Sequence, residues 1–345
     1  MSLFGKPKAF GLYLADSILY LLEVKGGAVD AVTSAIYLEL PSGLIQKGLI
    51  MDQTKLAEVI RRAYTEAGPK PPHTHKVVSC LPDAQTYTHH FTLSREINKD
   101  DLADAIYEEA IKALPLDLDQ AAWDYQILPG SDNGYEIFFS CASAELVEIY
   151  EQTFNLAGLE LTVLEPEVVT LSRALVEATT LAPDQGTAIM NIGARSTGLI
   201  FIDKNGLQLS VTIPVAGQAF TESISKKLKI KTDEAEKLKR HQGFADRITA
   251  QALRPAIKPL IEEFKRALAF YQGKTLKKVS QVYLSGGSSA LPDLTKTLQI
   301  ALGLPVVLGA SPYLIDGLEP HQIATVAGLA MRGRILSTGI NFIAP

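Results

Sequence analysis

Nowhere does this chain hold the roughly 18 uninterrupted apolar residues that a membrane-spanning helix needs. Its first apolar stretch, Phe10 to Val24, is broken by Asp16 and Glu23, and no small-residue cleavage site follows it. A targeting or spanning segment is therefore not expected, and the expected compartment is the cytoplasm. Cysteine is scarce: only Cys80 and Cys141 occur in 345 residues, too few for a disulfide framework, and both lie in strand-like runs that suit buried thiols. An excess of positive charge is also missing. The formal net charge is −5 and the lysines are scattered, which argues against a nucleic-acid partner. There is no Walker loop, nucleophile elbow or dinucleotide fingerprint. The six histidines include His73 and His75 in a proline-rich loop, and His89 and His90 on opposite faces of one strand, with no ligand partners at metal spacing. No catalytic or metal-ligating residue is assigned.

What is present is a globular composition, 47% hydrophobic and 21% charged, and one pattern that occurs twice. Phe10 to Leu14 reads as a strand, Ala15 to Ser17 as a small polar loop and Ile18 to Val24 as a second strand. Lys25-Gly26-Gly27 then turns the chain into a third strand from Val29. Later, Thr187 to Ile192, Gly193 to Ser196, and Thr197 to Ile202 repeat the order, and Lys204-Asn205-Gly206 leads into Leu207 to Val215. The Asn-Gly pair predicts a two-residue hairpin with positive φ at both residues. Helices are expected over Thr54–Ala67, Ser143–Ala157, Glu167–Val176, Glu222–Leu228, Asp233–His241, Leu291–Leu302 and Ile323–Arg332. A long one over Arg247–Gln272 should be broken or kinked by Pro255 and Pro259. Buried strands are expected at Lys76–Leu81, Ile137–Ala142, Val163–Glu165 and Val282–Leu284. Two unrelated hairpins in an α/β protein would account for the repeat. It also resembles the duplicated ribonuclease-H-like domain of actin, Hsp70 and the sugar kinases.

Three motifs bear on that resemblance. Gly286-Gly287 sits between the strand Val282–Ser285 and Pro292, where glycines admit a close ligand and proline suits a helix's first turn. A strand, Gly-Gly and a proline-started helix is similar to the adenosine motif of actin-like ATPases, with Ser288 beside it. Glu236 and Lys239 share a helix face, either as a solvated charged pair or, by analogy with that group, directed at ribose and base. The phosphate loops depart from the group's pattern. Tyr13 stands where an Asp is expected, Ala15 for Gly and Tyr20 for Lys. The second loop keeps Gly193, Ser196 and Thr197 but has Asn191 for Asp. Asp16 would repel phosphate unless a cation intervened, and Ser17 is the remaining hydroxyl of the first loop. The resemblance thus implies a degenerate site at Ser17, Gly193, Ser196, Thr197, Glu236, Lys239, Gly286, Gly287 and Ser288. ATP, with Mg2+, is expected to bind weakly and to turn over negligibly.

Within that fold the chain resembles the PilM family of type IV pilus assembly proteins, in the FtsA/PilM group of the actin-like superfamily. The shared runs are Phe10-Gly11-Leu12, Leu21-Leu22-Glu23, Ile213-Pro214-Val215-Ala216-Gly217 with Phe220-Thr221, Ala235 to Lys239 with Gly243, and Ala327-Gly328-Leu329-Ala330-Met331-Arg332. The fold class implied is α/β, a duplicated ribonuclease-H-like (actin-like) fold with a small inserted strand-helix-strand subdomain. Residues 85–128 form the insertion, with a strand at Phe91–Leu93, a helix at Lys99–Leu114 capped by Asn98, and a returning strand at Trp123–Ile127. The halves are expected at 1–84 with 129–184, and 185–230 with 265–345, and a small nucleotide-side subdomain at 231–264. The resemblance implies a scaffold that docks the cytoplasmic N-terminal peptide of a PilN-type inner-membrane partner. Leu102, Ile106, Glu109, Leu116 and Leu118 of the insertion are the expected contacts. The final run lacks the basic amphipathic helix of FtsA-like proteins, which favours PilM. An active or polymerising FtsA-type ATPase is the alternative, and a sugar kinase would lack a base. Ile340-Asn341-Phe342-Ile343-Ala344-Pro345 resembles the Ile-Asn-Leu-Leu-Pro peptide of PilN-type partners. It is expected either as a frayed end or as an occupant of the peptide groove in its own or a neighbouring molecule.

Overall fold

The computed structural model describes residues 8–26, 31–114, 117–129, 134–176, 181–336 and 339–343. The chain forms two compact units, Met1–Ala178 with Ser311–Pro345, and Thr179–Ala310.

In the first unit a six-stranded sheet runs in the order Glu160–Pro166, Lys76–Leu81, Phe10–Leu14, Ile18–Lys25, Ala31–Glu39, Gly68–Pro69. Phe10–Leu14 pairs antiparallel with Ile18–Lys25 and parallel with Lys76–Leu81, which in turn pairs parallel with Glu160–Pro166. The second unit repeats this with Val306–Leu308, Lys278–Ser285, Gln185–Ile192, Thr197–Asp203 and Gly206–Ile213 in corresponding places and the same strand directions. The duplicated pattern read from the sequence is therefore one topology built twice. Both central hairpins are nearly continuous apolar runs, as strands buried on two faces must be.

Several boundaries differ from expectation for local physical reasons. Arg247–Thr275 is one uninterrupted helix. Pro255 and Pro259 lie four apart on its exposed face, where water can take the carbonyls their missing N–H groups leave unbonded. The helix expected from Leu291 begins at Leu294, because Asp293 takes positive φ and the Pro292 carbonyl accepts the Phe244 amide. At the Asn205-Gly206 turn only Gly206 has positive φ. It pairs with Asp203, whose carboxylate accepts the Asn205 amide at 2.7 Å.

The inserted subdomain is a three-stranded sheet, Thr86–Leu93, Tyr135–Ser143 and Ala121–Leu128, with the helix Leu102–Ala113. Its central strand comes from beyond the expected 85–128. Asn98 opens a short 3-10 turn without a side-chain capping bond, so the α-helix starts later than expected. The chain returns to the first unit at Ser311, so Ser311–Pro345 does not belong with the second half. The helix Ala324–Arg332 explains this return. Its small residues let it lie against the helix Glu167–Val176 so closely that a Cβ on Gly328 would come 2.1 Å from the Thr170 carbonyl oxygen.

Candidate functional site

The first loop joins two buried strands, and its side chains are engaged within the unit. The Tyr13 hydroxyl donates to Glu167 Oε1 at 2.9 Å, and the Thr325 hydroxyl reaches the same oxygen at 3.3 Å. Glu167 begins its helix directly after the strand Glu160–Pro166 and is almost wholly buried. Asp83, also buried, follows the strand Lys76–Leu81 and accepts the Val168 amide at 3.1 Å. Burial pushes the Asp83 carboxyl well above the usual carboxylate range, with neighbouring Glu167 adding to the rise, and burial likewise pushes Tyr13 up. Asp16, expected to repel phosphate unless a cation intervened, accepts the amides of Lys47 and Gly48 at 3.0 and 3.1 Å. Both of those residues have positive φ, so consecutive N–H groups converge on one anion, and that anion is the chain's own carboxylate. Ser17 is exposed at the loop tip, and its carbonyl accepts the Leu40 amide.

In the second unit the structure gathers Gly193, Ser196, Thr197, Gly286 and Ser288 around one strand end. Gly193 N donates to Ser196 O and closes the loop, while Gly217 N and Gln218 N donate to the carbonyls of Gly193 and Ala194. The Thr197 hydroxyl is tied to Val215 O at 2.7 Å and that of Ser288 to Gly193 O at 3.2 Å. Two helix N-terminal amides and two hydroxyls that suit a phosphate are thus bonded to main-chain carbonyls. Gly286 has φ +87°, and a Cβ there would lie 2.6 Å from the Ile192 carbonyl and 2.7 Å from Asn191 Oδ1, so close packing requires glycine. Gly287, by contrast, faces open space.

Glu236 and Lys239 do share a helix face, but Lys239 points inward. Its ammonium donates to Gly217 O at 3.0 Å and Thr221 Oγ1 at 2.9 Å, and pairs with Glu236 at 2.6 Å. Three donors have three partners. Burial pulls Lys239 below the ordinary ammonium range, while Glu236, bonded to Lys239, Thr221 and Arg240, is held down to about 2 despite its partial burial. These residues build a tightly bonded scaffold and do not fit a metal–nucleotide well. Among the described residues no three His, Cys, Asp or Glu side chains gather to hold a metal ion.

The expected contacts of the insertion separate into two groups. Leu102, Ile106 and Leu118 are buried in the subdomain's own core with Phe91, Ile137 and Phe139, so their side chains face inward and offer no surface. This corrects their assignment as partner contacts: the apolar stripe is where the helix meets its own sheet. Glu109 is half-exposed and pairs with Lys112, and Leu116 lies outside the described residues. The segment Gly339–Ile343 is neither frayed nor exposed. Asn341 N donates to Asp124 Oδ2 at 2.9 Å, Leu164 N donates to Asn341 Oδ1 at 3.0 Å, and Phe342 N donates to Leu164 O at 2.8 Å.

A sequence profile of type IV pilus assembly protein PilM matches residues 15–317. The chain belongs to the PilM family. Among solved structures it is similar to a chain of the PilM–PilN type IV pilus biogenesis complex, at 24% identity over 95% of this chain and 99% of that one, with TM-score 0.82. It is also similar to the ethanolamine utilization protein EutJ from Carboxydothermus hydrogenoformans, at 18% identity, 94% and 89% coverage and TM-score 0.58. MreB 5 of Spiroplasma citri bound to AMPPNP matches at 12% identity, 94% and 96% coverage and TM-score 0.53. These likenesses show the duplicated ribonuclease-H-like, actin-like fold, the fold class expected from the repeat.

Sequence reading missed Glu167, Asp83 and Asp124. Each carboxylate gains its meaning from residues far along the chain. The one local signal is that Asp83 and Glu167 both follow a strand and a proline, Pro82 and Pro166.

Proposed function

We propose that this PilM-family chain is a cytoplasmic actin-like scaffold of a type IV pilus-like machine, recruited to the inner membrane by docking the N-terminal cytoplasmic peptide of a PilN-type partner. The observation that carries this reading is the family match over residues 15–317, together with the likeness to the PilM–PilN complex across 95% of the chain. No helix among the described residues is long and apolar enough to cross a membrane, which is compatible with recruitment through a partner. The nucleotide site is degenerate: Tyr13 and Asn191 replace carboxylates, and Thr197, Ser288 and Lys239 are bonded internally. Gly287 is the position still open to a ligand.

In the inserted subdomain the surface best suited to a peptide is the edge strand Ala121–Leu128, where Ile127 is 46% exposed, and not the inward stripe of its helix. An extended peptide beside a sheet edge gains main-chain hydrogen bonds, with pockets for alternate side chains. The test is titration of a labelled N-terminal peptide of the PilN-type protein against the full chain. Binding is expected, and Ile127→Asp should weaken it while the melting temperature holds. No binding at any accessible concentration would overturn the reading. Steady-state hydrolysis of Mg-ATP should not exceed that of Gly287→Asp. Turnover above that control would favour the working ATPase instead.

A further inference from the structure

The segment Gly339–Ile343 lies between two edge strands of the first unit, Ala121–Leu128 and Glu160–Pro166. Its fit is specific. Ile340 is 0% exposed and Phe342 5%, so both side chains are anchors. Between them, the Asn341 carboxamide oxygen accepts the amides of Leu164 and Ile343, and its Nδ2 donates to Thr162 O at 3.2 Å. The carboxamide thus stands in for a peptide group along the strand edge, which neither a charged nor an apolar side chain could do. On the other side Asp124 accepts the Asn341 amide. The preceding connection is held by Arg332, whose guanidinium donates to the carbonyls of Ile335 and Gly339 at 2.9 and 3.2 Å. The segment that fills this groove sets an asparagine between two buried apolar residues and turns the chain at Phe342–Ile343.

We infer that Gly339–Ile343 is a tethered occupant of an exchangeable peptide groove, and that a partner peptide of the same apolar–Asn–apolar chemistry docks by displacing it. The identity of that partner, a PilN-type N-terminal peptide, rests on the function proposed above. A short tether gives the segment an effective concentration of about a millimolar, so the partner meets a groove that is open for only a fraction of the time. Its apparent affinity is reduced by that fraction, and whatever loosens the segment raises it. Because Ile340 and Phe342 are buried anchors, removing the whole segment would uncover apolar surface and lower thermal stability.

The experiment uses the full chain, its Asn341→Ala variant, and a form with a specific protease site inserted between Leu336 and Gly339 and cut after folding. The probe is a fluorescent synthetic peptide, Gly-Ile-Asn-Phe-Ile, followed by polarisation. Asn341→Ala removes side-chain bonds to Thr162, Leu164 and Ile343, so the probe should bind this variant at least about tenfold more tightly than the wild type. The cut form should show the same gain, and a probe with alanine for asparagine should not. Equal affinity across the three proteins, or equal binding of the alanine probe, would overturn the inference. Should the cut form lose its fold, the Asn341→Ala comparison decides alone. Unlabelled partner peptide should displace the probe from Asn341→Ala. Binding without displacement overturns the shared groove but keeps the partner. No binding of partner peptide, with the probe still bound, overturns the partner and leaves the self-occupied groove standing.

Discussion

The Tyr13 hydroxyl donates to the buried carboxylate of Glu167 at 2.9 Å, from the position where an actin-like ATPase carries an acidic residue. An aspartate at position 13 would stand near two buried carboxyls, Asp83 and Glu167, and would need a cation to be tolerated. A phenol needs none. It satisfies Glu167 and stacks on Tyr20 at 6.5 Å between ring centroids. Tyr13→Phe keeps the ring and removes the donor. It should cost about 1–3 kcal/mol in urea unfolding, because it withdraws a hydrogen bond from a buried acceptor. Tyr13→Phe with Glu167→Gln should recover much of that loss, since the amide brings no charge to bury. Equal stability of wild type and Tyr13→Phe would show that the bond carries no weight.

Asp83 makes stability depend on pH. Its carboxyl is raised well above the ordinary 3.8 by burial and by Glu167, so the folded protein holds this proton more tightly than the unfolded chain. The associated stability is complete below about 3.8 and is lost as pH rises through the native value. Asp83→Asn retains an acceptor for the Val168 amide and has nothing to ionise. Melting temperatures measured from pH 4 to pH 8 should show Asp83→Asn gaining on the wild type as pH rises. Parallel curves would contradict the assignment.

Much of this was legible in the sequence wherever the signal was local. Lys76–Leu81 and Glu167–Val176 begin and end where the apolar pattern places them, and the duplicated hairpin appears in both units with one topology. The substitutions at Tyr13 and Asn191 were visible too, as departures from a pattern. The partner that Tyr13 finds was not, because a hydrogen bond to a residue 154 positions away leaves no trace in spacing. Leu102 and Ile106 are apolar one helical turn apart, yet such spacing does not say whether that face meets a partner or its own sheet. Ile137–Ala142 was likewise read as a strand, but the place of the full strand Tyr135–Ser143 at the centre of the inserted sheet depends on pairing with both neighbours.

The Glu236–Lys239 pair offers an acid-side test. Glu236 is held down to about 2 from an ordinary value of 4.5, so its contribution is complete above 4.5 and is lost as pH falls toward about 2. Glu236→Gln removes the charge that compensates a buried ammonium and should cost about 1–3 kcal/mol at pH 7. The gap to wild type should narrow as pH falls below 4.5. Arg240→Ala, which touches the same carboxylate from an exposed position, should change stability little. Urea titrations at pH 7, 5 and 4 separate these outcomes, and a gap independent of pH would assign the loss to packing instead.

Gly328 is where the first unit should be least tolerant of a single added methyl. The helix Ala324–Arg332 approaches Glu167–Val176 closely enough for the Arg173 guanidinium to donate to Gly328 O at 3.0 Å while pairing with buried Glu165. A Cβ at Gly328 would meet the carbonyl oxygen, the carbonyl carbon and the side chain of Thr170 at 2.1, 2.9 and 3.0 Å. Two of these atoms are backbone, so the contact is relieved only by moving one helix away from the other. Helix propensity pulls the opposite way, because alanine is favoured over glycine inside a helix by roughly 1 kcal/mol. Overpacking of this kind costs typically about 1–3 kcal/mol, and here it also strains the Arg173–Glu165 network. Gly328→Ala should therefore be destabilising by at least about 1 kcal/mol in urea unfolding despite its better propensity. Gly273→Ala, where nothing lies within 4 Å of the added atom, should be neutral or stabilising. If both substitutions stabilise, the two helices of the first unit are not packed as closely as described.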